Sequence, residues 1–229
     1  PRPGAFAEFV RVPEDNLVDI PAGLSFAQAA LAEPIAVSWH AAKHGASLLR
    51  RPLASARCVV HGGGAIGFAA ALVLRVLGAG EILVGETNAA RRRTLERAGM
   101  RAYQPGTAAE PADSSVQLVV DAVGAAATRA AACRLICPGG VIVHAGLLPG
   151  HEGLDVRKIT LQEVIFAGTY CYTPDDFRDT VAAMGDGRLG VLDWFEERPL
   201  SEGAQAFRDI DANRVEAAKI VLRPQRGAP

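Results

Sequence analysis

The chain has 229 residues, 49% hydrophobic and 21% charged, which is ample apolar material for a sizeable buried core. Its 24 Lys plus Arg nearly balance 25 Asp plus Glu, so a net charge of -1 offers no field to attract nucleic acid or an anionic membrane surface. The longest apolar helical run is broken by Arg75 and no charged-then-apolar leader precedes the first strand, so neither a membrane span nor a secretory signal is expected.

In chain order, Gly4 to Val12 alternates apolar and polar residues, which predicts a half-buried strand. Ser25 with Gln28 three residues on has the form of a capping box and opens a helix through Leu31. Pro34 suits the first position of a second helix, running to about His44 and closed by Gly45. From Arg57 strands and helices alternate. Strand 58–61 leads to helix 65–77, strand 82–85 to helix 89–98, and strand 116–121 to helix 125–135. Strand 140–145 follows the helix stop Pro138-Gly139-Gly140, and strand 164–168 follows a variable loop. Helices at 175–184 and 201–210 and a closing strand at 219–222 complete the pattern. Short apolar strands separated by helices indicate a parallel sheet covered on both faces, an α/β doubly wound arrangement.

The four cysteines (Cys58, Cys133, Cys137 and Cys171) form no C-x-x-C pair, so reduced thiols in a cytoplasmic protein are expected. Arg91, Arg92 and Arg93 fall on one helix, where a solvated face is the ordinary reading.

The most informative stretch runs from Arg57 to Glu86. Strand 58–61 opens into Gly62-Gly63-Gly64-Ala65-Ile66-Gly67, an apolar helix follows, and Glu86 ends the next strand nineteen residues past Gly67. Gly62 permits the tight turn, Gly64 lets backbone approach a pyrophosphate, and Gly67 allows helix to pack on strand. The amides of Ala65, Ile66 and Gly67 then face the phosphates at the positive end of the helix dipole. Glu86 is placed to accept hydrogen bonds from the adenosine ribose and to repel a 2′-phosphate, favouring NAD over NADP.

These residues, taken with several flanking motifs, resemble the medium-chain dehydrogenase/reductase superfamily, in its zinc-type alcohol, polyol and threonine dehydrogenase branch. Gly4-Ala5-Phe6-Ala7-Glu8-Phe9 is similar to the family's G-x-F-A-E-Y/F strand and Leu24 to Ala30 to its L-S-x-x-x-A-A helix. Glu33-Pro34-Ile35-Ala36-Val37 with His40-Ala41 resembles the polyol branch's E-P-L-A-V signature. Val120-Asp121-Ala122-Val123-Gly124 and Lys219 to Leu222 also match in order.

The resemblance implies roles for particular residues. Arg91 would pack on adenine, while Val123, Gly146 and Leu147 would lie beside the nicotinamide. Glu33 would face a catalytic zinc, as a ligand or as a partner of metal-bound water; as a bare residue it is a helix-start acid stabilised by the dipole. The family's GroES-like half-barrel, with its ligating Cys and G-H-E motif, is not matched, so zinc is expected only if that part supplies the other ligands. Gly150-His151-Glu152 spells the motif but falls after the fifth sheet strand, in a loop without partner ligands nearby in sequence, where a solvated His is expected.

The resulting expectation is a Rossmann domain over 35–172, flanked by a partial catalytic, GroES-like domain at 1–34 and a return to it at 173–229. The activity implied is NAD-dependent hydride transfer between the nicotinamide and a secondary alcohol, polyol or ketone, by a homodimer or homotetramer pairing through strand 163–170. Rival readings are a zinc-independent quinone or enoyl reductase using NADPH, a non-catalytic nucleotide-binding remnant, and a methyltransferase. Glu86 and the Glu33-Pro34 signature argue against the first, and the flanking matches against the last.

Overall fold

A computed structural model describes residues 4–224. The helices α1 (Phe26–Ala29) and α2 (Ala32–Leu48) precede an alternating series: β1 (Arg57–His61), α3 (Ala65–Val76), β2 (Glu81–Gly85), α4 (Ala89–Arg97) and β3 (Arg101–Tyr103). It continues with β4 (Val116–Asp121), α5 (Ala126–Leu135), β5 (Ile136–His144), α6 (Val156–Leu161) and β6 (Ile165–Gly168). Then come α7 (Pro174–Gly185), β7 (Phe195–Pro199), α8 (Gly203–Asp211) and β8 (Lys219–Arg223).

Six strands form one parallel sheet in the order β3-β2-β1-β4-β5-β6, while β7 and β8 pair in a separate two-stranded sheet. The order reverses between β1 and β4, and in open α/β sheets that switch point is where a ligand crevice opens beyond the strand ends. The expected doubly wound α/β class is the observed one. Alternate residues of the central strands feed two cores: Val60, Leu118, Val120 and Val143 pack with α2 and α3, and Val59, Val119 and Ile142 with α5. Strands buried on both faces have few polar positions, which is why Cys58-Val59-Val60 of β1 and Leu118-Val119-Val120 of β4 are unbroken apolar runs.

The capping box at Ser25 is present, with Ser25 N donating to Gln28 Oε1 (2.9 Å) and Gln28 N to Ser25 Oγ (3.2 Å). A second box, Thr173 with Asp176, opens α7 with Pro174 in its first turn. Asp176 is fully buried there and also joins α7 to α2: its carboxylate accepts from His40 Nδ1 at 2.8 Å and forms an ion pair with Lys43. Burial pushes this carboxyl upward, and the bonds from Lys43, Thr173 and His40 overcome it and hold the group well below the usual range.

Several elements depart from the sequence pattern. Gly4 to Val12 is irregular and largely exposed and pairs with neither sheet; Phe6 instead packs edge-on against Phe207 at 5.9 Å. Gly45 does not close α2 but lies inside it, against the sheet. A Cβ there would come within 2.8 Å of Val143 and 2.9 Å of Leu118, so the missing side chain permits close packing. The Pro138-Gly139-Gly140 stop is absorbed into the irregular start of β5, where the register with β4 shifts and Gly139 takes φ 71°. Short α6, capped by Asp155, occupies part of the loop read as variable.

Candidate functional site

The Gly-rich turn lies between β1 and α3. Gly62 has φ 95°, in the left-handed region that favours glycine, and a Cβ on it would come within 2.6 Å of Val123. A Cβ on Gly67 would collide with the Gly62 carbonyl oxygen, so turn and helix close on one another only without a side chain. Gly64, by contrast, has open space on its Cβ side and provides no side-chain cap. The first helical hydrogen bond runs from Phe68 N to Gly64 O (2.8 Å). The amides of Ala65, Ile66 and Gly67 therefore precede the helix ladder and form the donor-rich end that anions seek.

These residues border a cavity of about 770 Å³ at the C-terminal edge of the sheet. Gly62, Gly64, Ala65, Ile66 and Gly67 line its middle. Glu86 and Arg91 line the β2 side, and Val123 and Leu147 the β4–β5 side. Gly146 sits just behind, because a Cβ on it would collide with the backbone of Val123 and Gly124. One cavity thus gathers nine of the ten residues expected at a cofactor, with the tenth holding its wall.

Glu86 does more than the sequence indicated. Its buried carboxylate accepts from Gly63 N and from Asn88 N, both at 2.7 Å, so the acid holds the Gly-rich turn as well as lining the cavity. The arginine cluster is not a uniform solvated face. Arg93 is exposed and Arg91 lines the cavity, whereas Arg92 donates to the carbonyls of Glu86 (2.7 Å) and Thr87 (2.8 Å) and fixes the end of β2.

Parallel register brings His61, Asp121 and His144 side by side on one rung beneath the crevice. Asp121 is fully buried and accepts from Val123 N (3.0 Å), Gly124 N (2.9 Å) and Thr128 Oγ1 (3.0 Å), which shapes the tip of β4. His61 lines the cavity, and both its ring nitrogens are buried without a hydrogen-bond partner among the described residues. Burial pulls this imidazole below its ordinary value, against the opposing pull of Asp121 and Glu110. The rung was recoverable from the sequence only by aligning the last residues of β1, β4 and β5.

A pH dependence follows. Below about pH 6.5 the unfolded chain protonates this histidine while the folded form resists, so stability falls as pH drops from there toward the lowered folded value. The limit is about 1.4 kcal/mol per pH unit for one proton. Thermal melts at pH 7.5 and 5.5 should show a larger loss for the wild type than for His61→Leu; equal losses would refute the assignment.

Glu33 lies apart from this cavity. It is exposed in the first turn of α2, where it faces the dipole, and its charge adds to the burial that pushes the Tyr172 phenol upward. Among the described residues no three His, Cys, Asp or Glu side chains gather as a metal site. His151 is exposed in its loop, with its backbone N 3.2 Å from Glu152 Oε2. All four cysteines are free; burial pushes the Cys58 thiol up to about 12, which makes it inert, while Cys171 is exposed. Among the described residues no helix is long and apolar enough to cross a membrane.

Comparison with known proteins agrees with this geometry. The chain is 30% identical to L-galactonate-5-dehydrogenase of Escherichia coli K12, over 92% of this chain and 63% of that protein. It is 29% identical to probable (R)-acetoin-forming diacetyl reductase 2 of Saccharomyces cerevisiae, over 82% of this chain and 47% of that protein. The chain thus spans about half to three-fifths of the length of these relatives. The structure of alcohol dehydrogenase TADH from Thermus sp. ATN1 superposes with a TM-score of 0.81 at 25% identity, covering 97% of this chain and 67% of that one. Residues 65–186, more than half of the sequence, match the zinc-binding dehydrogenase family, and the chain belongs to that family, within the medium-chain dehydrogenase/reductase superfamily.

Proposed function

We propose that this chain is the nicotinamide-nucleotide-binding part of an NAD-dependent oxidoreductase acting on a secondary alcohol, a polyol or the corresponding ketone. The observation that carries the reading is a single cavity across the β1/β4 switch point, with open helix amides at its centre and a buried carboxylate at the β2 end. The amides of Ala65, Ile66 and Gly67 would bind the diphosphate, Glu86 the adenosine ribose, and Arg91 the adenine. Val123, Gly146 and Leu147 would shape the nicotinamide end. The nicotinamide supplies the hydride chemistry when bound; the protein's part is to hold it in register and keep water away.

In this reading residues 35–172 form the nucleotide-binding domain, and 1–34 and 173–229 belong to a catalytic domain. The parallel edge at β6 would pair with a second copy as homodimer or homotetramer, and the free thiols suit a cytoplasmic setting. Zinc does not fit the residues described, because Glu33 alone cannot hold it. That donor set also keeps a non-catalytic nucleotide binder as the rival reading.

Calorimetric titration separates these possibilities. NADH should bind the purified protein and NADPH more weakly; heat from neither coenzyme would defeat the proposal. Binding without oxidation of any secondary alcohol or polyol, followed by absorbance of reduced coenzyme, would favour the rival.

A further inference from the structure

Arg129, on the first turns of α5, is 4% exposed. Its Nη1 donates to the carbonyl of Gly124 and its Nε to that of Glu152, each at 2.6 Å. The remaining Nη2 is buried with no partner among the described residues, and the guanidinium's recorded hydrogen bonds are to carbonyl oxygens. Desolvating a cation without an opposing charge is expensive, and side chains so placed hold a geometry.

The geometry held is the junction of two loops. One follows β4 and contains Val123 and Gly124; the other joins β5 to α6 and contains Gly146 to Gly153. They interlock closely. Gly146 N donates to Asp121 O (2.9 Å) and Leu148 N to Val123 O (3.3 Å). Cβ atoms on Gly124 and Gly153 would collide with the carbonyls of Gly146 and Ala126. Between these points the second loop presents Leu147 and Leu148 to the cavity, both strongly exposed, and Arg129 ties its far end at Glu152. Because Glu86 marks the adenosine side of the switch point, the opposite side, walled by Leu147 and Leu148, takes the other half of a dinucleotide.

We infer that Arg129 is a positioning residue that sets the nicotinamide half of the cavity by clamping the β5–α6 loop to the tip of β4; this rests on the nucleotide reading above. The guanidinium touches neither phosphate nor adenosine positions, so its loss should be felt at one end of the ligand only.

The test compares NADH with ADP-ribose, which lacks the nicotinamide ring, by calorimetry on the full chain. Arg129→Met should weaken NADH about tenfold or more and leave ADP-ribose within about twofold, since one charge-assisted bond to each of the two loops is lost. Nicotinamide fluorescence of the bound NADH should shift toward its value in water. Arg129→Lys, which keeps the charge but reaches one carbonyl, should fall between wild type and Met and covers the case in which Met prevents folding. Gly153→Ala, which pushes the loop off Ala126 without touching the guanidinium, should reproduce the selective loss. Equal weakening of both ligands, or no weakening of NADH, would overturn the assignment. Failure of the wild type to bind ADP-ribose would instead defeat the nucleotide reading itself, and the clamp with it.

Discussion

Replacing Gly64 with valine is expected to abolish dinucleotide binding while leaving the fold standing. Gly64 has φ -74° and ψ -174°, extended backbone that any residue adopts, and a Cβ there meets nothing within 4 Å. Valine as an N-cap costs about 1 kcal/mol, which lowers the melting temperature by roughly 2–4 °C in a chain of this size. The isopropyl group, however, would project into the cavity in front of the Ala65 and Ile66 amides, where a phosphate must approach to within hydrogen-bond distance. Affinity for NADH should fall by about 100-fold or more, equivalent to roughly 2.7 kcal/mol. Gly67→Val makes the contrast, because its Cβ would meet the Gly62 carbonyl and should cost the fold itself. Circular dichroism with calorimetry distinguishes the two. Unchanged NADH affinity in Gly64→Val would mean that the diphosphate lies elsewhere.

The second large effect is at Glu86. Its carboxylate has two jobs: bonding the amides of Gly63 and Asn88 inside the protein, and presenting negative charge to the cavity. Glu86→Ala leaves the buried Gly63 amide and the part-buried Asn88 amide without their acceptor, at about 1–3 kcal/mol each, and removes the repulsion of a 2′-phosphate. Stability to urea should drop by roughly 2–4 kcal/mol, with part of each amide's loss relieved by water. The ratio of NADPH to NADH affinity should rise by about 10–100-fold. Glu86→Gln, which keeps an acceptor oxygen but not the charge, should retain most of the stability and still relax the preference. If the preference stays fixed in both variants, Glu86 does not select the coenzyme.

How much of this could be read from residues alone depended on whether the signal was local. The stretch from Arg57 to Glu86 was legible because each step has its own marker: a β-branched strand, glycines, an apolar helix and a terminal acid. Ser25 with Gln28 was legible for the same reason. The three-residue β3, the charged β7 and the short α6 gave too few positions for a period to emerge. Gly4 to Val12 had a strand's alternation but joins neither sheet, and pairing is not written in a single segment. Gly45 read as a stop because a glycine at a helix end and one packed against a sheet look alike until Leu118 and Val143 are placed beneath it. Arg129 was invisible among alanines. Its partner carbonyl at Glu152 is 23 residues away, and only the loop geometry brings them together.

The clasp between α2 and α7 bears on how the molecule is made. His40 and Asp176 are 136 residues apart in the chain, and at ribosomal speeds of about 5–20 residues per second the carboxylate emerges some seven seconds or more after its imidazole partner. During that interval the nascent chain holds Lys43 and His40 without their counter-charge, and the face of α2 that α7 will cover stands open to water. Covering that face must therefore wait until α7 has been synthesised. A polypeptide halted near Gly168 would carry every strand of the large sheet and still lack the helix that covers this face of α2.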